Sequence, residues 1–303
     1  MRVLSGLERS LASALGLGRP LLARAAREGE VWMAASLVPG PAVVLGAAQR
    51  AGRVVRLTAG TDVYRRTTSG TTVYIGQRAL IWTLALPHVA ALVADATPRT
   101  LLNRNVRGFL AGLGRAGAAA HYFGREWISV RKQPAAVLGF ETTREGAVLI
   151  EVLAGVDASP ALPEALAADE ERAVDRWLGK APAALGALLP EEPAVIAREV
   201  VRAVALRAGA AMDEGEAIEV EAVFPVERED DPMPEGFARG PSHRVPIGWI
   251  DTGSEAESGR SWLGGDVLVP SWAIAAIAAG QEPGEVPIEG AAPADLRAAL
   301  RRG

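Results

Sequence analysis

Two adjacent arginines, Arg65 and Arg66, open a run of small polar residues, Thr67-Thr68-Ser69-Gly70-Thr71-Thr72. Small side chains let backbone N–H groups approach a ligand closely, and arginines offer fixed donors for a phosphate or a carboxylate. This spacing points to capture of an anion by a loop. The competing reading is a polar hairpin turn with solvated arginines. From Arg50 to Lys132 there are 13 Lys/Arg against 3 Asp/Glu, although the whole chain carries a net charge of −4. Such a basic half suits an anionic ligand, an acidic protein partner or nucleic acid, or a merely solvated arginine-rich surface. No interleaved aromatic pattern supports nucleic acid.

Composition narrows the chemistry. Cysteine is absent, which removes disulfides, thiolate metal sites and a Cys nucleophile. The three histidines, His88, His121 and His243, are scattered and read as ordinary hydrogen-bonded residues. The 303 residues are 49% hydrophobic, enough for one large domain and a small one. The longest apolar run, Ala79 to Ala94, contains Pro87 and His88 and falls short of a membrane span. No signal-peptide pattern opens the chain, so a cytoplasmic protein is expected.

The elements that must position the arginine loop can be read from periodicity. Helical spacing runs from Gly6 to Arg27. Ala42–Leu45, Val54–Leu57, Val73–Ile75 and Ala79–Leu86 read as strands. Pro98–Gly114 reads as a helix with Pro near its start. A short strand is expected at Ala118–Tyr122, a hairpin at Trp127–Val130 and Ala135–Glu141, and a strand at Ala147–Leu153. Helices are expected around Glu164–Leu178 and over Pro193–Ala211, a strand at Ile218–Phe224, and a loop at Glu227–Pro241. Near the C-terminus come strands at Ile247–Ile250 and Ser261–Leu268, then a helix at Ser271–Gly280. This succession is α+β with a mixed, largely antiparallel sheet.

The order of these pieces resembles the lipoate–protein ligase branch of the biotin/lipoate ligase superfamily. The resemblance rests on a strand ending in Gly46 and Gln49, the Arg65-Arg66 loop, the following strand, and Gly265-Asp266-Val267-Leu268 before a helix. It covers Pro41–Leu153 and His243–Gly280. It implies a class II synthetase-like core with flanking helices over 1–240 and a small α+β accessory domain over 242–303. It also implies ATP- and Mg²⁺-dependent activation of lipoate or octanoate, then transfer to a lysine of an acidic lipoyl carrier domain. Under it, Arg65, Arg66, Thr68, Ser69, Gly70, Thr71, Thr72, Tyr74 and Gly139 bind substrate and nucleotide. Lys132 steadies the developing charge, and Glu126 stands in for an aspartate that orients metal or amine. The sequence departs from the pattern in its single loop glycine, in Arg125-Glu126 where Asn-Asp is usual, in the register of Lys132, and in Glu145-Gly146 where His-Gly is usual. Those departures leave open a second reading, a catalytically degenerate relative acting as a binding protein. A third, acyl transfer from a carrier thioester, is disfavoured because the resemblance implies a nucleophilic Cys in one branch and a Lys-Cys pair in the other, and the chain has no cysteine.

Overall fold

The computed structural model describes residues 1–56, 61–215, 220, 223–226, 231–284, 286, 288 and 293–302. Its central layer is an eight-stranded sheet. The strands in chain order are β1 (Arg2–Leu4), β2 (Trp32–Pro39), β6 (Arg78–Leu86), β7 (Ala120–Tyr122), β8 (Trp127–Val130), β9 (Gln133–Thr142), β10 (Val148–Gly155) and β11 (Asp213–Gly215). They lie side by side as β11-β1-β2-β6-β10-β9-β8-β7. Only the β11-β1-β2 end is parallel. A second sheet packs over the first, with β3 (Ala42–Leu45) between β4 (Asp62–Arg65) and β5 (Val73–Ile75).

Strand β6 shows why the apolar run is unbroken. Leu80, Trp82, Leu84 and Leu86 face one helical layer, while Ala79 and Ile81 face the small sheet. Both faces are covered, so apolar residues need not alternate with polar ones. The helical layer is α5 (Arg107–Arg115) against α8 (Pro193–Arg207). Phe109 meets Trp82 edge-on at 6.5 Å. On the opposite face lie α1 (Leu11–Gly16) and α2 (Gly18–Glu28), with Ser10 capping α1 by accepting from the Ser13 N–H. Each large side chain buried here contributes about 1.5–3 kcal/mol.

The C-terminal part builds a third sheet from β12 (Phe237–Arg239), β13 (His243–Val245), β14 (Gly248–Glu255) and β15 (Ser261–Gly265). Helices α9 (Ser271–Ala278) and α10 (Pro293–Arg302) cover it. The fold is therefore mixed α+β with largely antiparallel sheets, as the spacing predicts.

Several elements differ from expectation. Strand β2 was not foreseen, because its Met, Ala and Leu are helix-prone and both its faces are buried. Ala51–Val54 is a helical turn, α3, and Val55 forms only a single bridge to Ala167; Leu57 lies outside the described residues. The helix expected at Glu164–Leu178 shrinks to α6 (Asp169–Arg172). Beyond it, Arg176 turns inward to carboxylates, and Leu178 adopts a left-handed backbone that no helix continues through. The Pro98–Gly114 helix is segmented: a 3₁₀ turn, then α4 (Leu101–Asn105), then α5. Helix α7 (Leu185–Leu188) precedes α8, which stops at Arg207. Much of the strand expected at 218–224 and the start of the 227–241 loop fall outside the described residues; the rest of that loop contains β12.

Candidate functional site

The loop after β4 lies flat on β9 and β10. The Ser69 N–H and hydroxyl both donate to Phe140 O, at 3.1 and 2.8 Å. The Thr68 N–H and hydroxyl donate to Glu151 Oε2, at 3.2 and 2.5 Å. The Gly70 N–H donates to Val267 O of the C-terminal part at 2.9 Å. Three successive donors are thus satisfied within the protein. Gly139 permits the close approach: a Cβ there would sit 2.2 Å from Ser69 O and 2.6 Å from Thr68 Oγ1. Gly70 has φ +114°, and a Cβ on it would meet an Arg66 nitrogen at 2.7 Å. Thr71 and Thr72 are buried behind it.

Arg66 points into the protein. It is 2% exposed, and it donates to Thr68 O at 3.4 Å and Ser69 O at 3.2 Å. Burial pulls its pKa down to about 10, partly offset by the charge of Glu151. Burial likewise pushes the Glu151 carboxyl up, against the Thr68 hydrogen bonds and Arg66. Arg65 straps the turn after β3, donating to Gly46 O and Ala47 O at 3.3 Å and also to Gln49 O. Tyr74, on β5, is half-buried against the apolar cluster of Val43, Leu45 and Val63.

A second buried network ties the core to the C-terminal part. Gln49 Oε1 accepts from the Gly46 N–H at 2.7 Å and the Thr72 hydroxyl at 2.8 Å. Gln49 Nε2 donates to Asp266 Oδ1 at 2.5 Å. Asp266 also accepts from the Trp249 N–H at 2.8 Å and from Arg176 at 3.1 Å. Arg176 pairs with Glu171 and donates to Ile247 O at 3.1 Å. Desolvation opposes its charge, but Asp266 and Glu171 together raise its pKa further above the usual arginine range. Beside this network is a cleft of about 360 Å³, walled by Thr72, Leu162, Glu171, Arg176 and Trp177. Glu141 fixes the same junction by accepting from the Ser271 N–H at 3.0 Å, at the start of α9.

Of the two residues expected to do chemistry, Lys132 stands apart from the loop, whereas Glu126 lies beside its floor, with its carbonyl accepting from the Leu138 N–H at 2.9 Å. Glu126 is 2% exposed and paired with Arg125 at 3.2 Å; burial pushes its carboxyl up, with Arg125 and Arg176 opposing. Lys132 is exposed on the β8–β9 turn with φ +68°. Gly139 lies seven residues further along β9, which at about 3.3 Å per residue is on the order of 20 Å. The structure brings Arg66, Thr68, Ser69, Gly70 and Gly139 together and leaves Lys132 outside that group.

In this conformation the loop offers no free amide to a phosphate at Thr68, Ser69 or Gly70, and Arg66 faces inward. Among the described residues no cluster of three His, Asp or Glu side chains could hold a metal. Sequence reasoning missed Glu151, Arg176 and Glu171. The segment carrying Arg176 and Glu171 has no recognisable motif, and Glu151 looks like one polar residue in an apolar strand. Gln49 and Asp266 were visible only as motif letters.

No known family profile and no curated protein matches the chain by sequence. Solved structures do match its shape. P. falciparum LipL1 in complex with lipoate is 12% identical, covering 87% of this chain and 83% of its own, with a TM-score of 0.60. Lipoate-protein ligase A bound with ATP is 16% identical over 72% of this chain and 89% of its own, with a TM-score of 0.57. The bipartite lipoate protein ligase described with its E2 lipoyl domain, from Thermoplasma acidophilum, is 17% identical over 72% and 87%, also at 0.57. The chain has the fold of these lipoate–protein ligases.

Proposed function

We propose that this chain is a non-adenylating relative of the lipoate–protein ligases, a binding protein for an acidic lipoyl-type carrier domain. One observation carries the reading: Thr68, Ser69 and Gly70 spend their amides on Glu151, Phe140 and Val267, while Arg66 is sealed beneath them. A phosphate cradle needs such amides free, because each hydrogen bond to a ligand must otherwise replace one the protein already makes. A site whose parts act together loses most of its rate when one part is withdrawn. The core at 1–240 and the accessory unit at 242–303 are then a scaffold joined by the Gln49–Asp266–Arg176 network. The carrier domain as partner is supported by the Thermoplasma ligase described with its E2 lipoyl domain.

The alternative, activation of lipoate or octanoate by ATP and Mg²⁺, is supported by the fold alone. It would require the loop to leave Val267 and Phe140. Pyrophosphate release measured with lipoate, octanoate and biotin separately decides between them. The expected result is no acid-dependent release above background. Release that Arg66→Ala removes without unfolding the protein would overturn the proposal.

A further inference from the structure

Strand β7 ends the eight-stranded sheet, and no described residue pairs with its outer edge. Most edge strands are covered or blunted, because a bare edge recruits another strand. Here the edge carries an aromatic pair. Phe123 is 67% exposed, and His121 stacks on it at 5.8 Å with 25° between the rings. Beside the start of β7 sits the β8–β9 turn, held there by the Arg131 N–H donating to Ala119 O at 3.2 Å. That turn presents Arg131 and Lys132 to solvent. Lys180, the only other lysine of the chain, is close by, since Gln133 reaches Ala181 O at 3.4 Å and the Ala183 N–H reaches Pro134 O at 2.9 Å. Arg115, at the end of α5, is exposed as well.

Some exposed arginines elsewhere, such as Arg56, Arg172, Arg239 and Arg260, meet a carboxylate. Others, such as Arg19, Arg144 and Arg198, are exposed with no ion pair among the described residues, so what marks this patch is that four unpaired cations lie together. Among the described residues, Arg115, Arg131, Lys132 and Lys180 meet none. Cations alone would serve to blunt an edge against self-pairing, but that task has no use for an exposed phenyl ring. Cations, an open ladder and an aromatic anchor together are the parts of strand-addition recognition: the ladder supplies main-chain hydrogen bonds and the side chains select the partner.

We propose that the β7 edge, with Phe123 as anchor and Arg115, Arg131, Lys132 and Lys180 as its charged rim, docks an acidic extended segment of a partner protein. This names the surface used under the binding-protein reading above and rests on it for the partner's identity. The geometry of the edge itself does not depend on whether the loop adenylates.

The test uses the full chain and a fluorescein-labelled peptide of alternating glutamate and valine, with a lysine–valine peptide beside it, read by anisotropy. Far-UV circular dichroism confirms that the Arg131→Glu/Lys132→Glu and Phe123→Ser variants stay folded. The acidic peptide is expected to bind and the basic one not. Charge reversal is expected to weaken binding by about tenfold or more, and Phe123→Ser by a smaller factor. Salt raised from about 0.05 to about 0.5 M should weaken it steeply. Slower amide exchange at Ala120–Phe123 should accompany binding. No binding, or binding that both variants retain, overturns the proposal. A chain that self-associates until Phe123→Ser disperses it also overturns it, by assigning the edge to a second copy. Peptide binding together with acid-dependent pyrophosphate release would discard the non-adenylating reading while leaving the docking surface standing.

Discussion

The arginine loop and the β8–β9 turn are the two cationic features that invite a catalytic reading, and their surroundings are opposite. Arg66 is sealed between the loop and the sheet, with its charge opposed by desolvation and eased by Glu151. Arg131 and Lys132 stand in solvent on a left-handed turn with no carboxylate beside them. A cation sealed in the core is costly to remove, because its partners are left unpaired, and it can meet no ligand. A cation kept exposed and unpaired contributes little to the fold and remains free to meet a partner. The same residue type thus serves two ends, and burial separates them.

The most direct way to break this comparison is Arg66→Met. The variant leaves Glu151 without its cation and Thr68 O and Ser69 O without a side-chain donor. Removing one member of a buried charged cluster costs about 3–5 kcal/mol. Urea unfolding should show a loss of that size, with Arg66→Met/Glu151→Gln recovering part of it. A variant as stable as the parent would mean that Arg66 is not a structural residue, and the phosphate reading would return.

Gly139→Ala sharpens the same point at lower cost. The new methyl would lie 2.2 Å from Ser69 O, so the loop must lift from β9 or the strand must shift. Overpacking of this kind costs about 1–3 kcal/mol. A fall in thermal midpoint without any gain of nucleotide affinity is expected. Nucleotide affinity that appears in this variant would show that the loop amides are competent once freed.

What the sequence disclosed follows from the same contrast. Strands β3, β5 and β6, the β8–β9 hairpin and the C-terminal strand–strand–helix were legible because apolar period and turn residues are local properties; β4, which leads into the loop, was not. The direction in which Arg66 points was not legible. It depends on Glu151, 85 positions further along, and on Val267 closing the loop from another sheet. Strand β2 escaped notice because burial on both faces erases alternation. Arg176 escaped because a lone arginine in an Ala/Pro-rich stretch has no pattern, and only the tertiary fold places it between Glu171 and Asp266.

A pH series probes the buried side of the comparison. Burial raises the Glu151 carboxyl above its ordinary 4.5. A group whose folded pKa lies above its unfolded value contributes stability in its protonated form that is lost as pH rises through the folded value. Stability should therefore decline upward from about pH 4.5. Glu151→Gln should make that decline shallower. Glu126 and Glu141 are raised by burial too, so the slope should shrink without vanishing. An unchanged slope would mean that Glu151 ionises in the native state as easily as in the unfolded chain.

The smallest expected effect lies at the exposed turn and has the opposite sign. Arg131 and Lys132 hold φ of +49° and +68°, a region that costs a residue with a Cβ about 1–2 kcal/mol relative to right-handed backbone. Glycine has no such penalty but adds flexibility to the unfolded chain, so Lys132→Gly should stabilise the protein by at most about 1 kcal/mol. Lys132→Ala should leave stability within about 0.5 kcal/mol, because it keeps the Cβ and removes only a solvated charge. Thermal unfolding of the two variants, run together, separates backbone from side chain. If Lys132→Ala were clearly destabilising, the ammonium group would have to be engaged in the fold, and the turn could no longer be set against the arginine loop as the solvent-facing half of the pair.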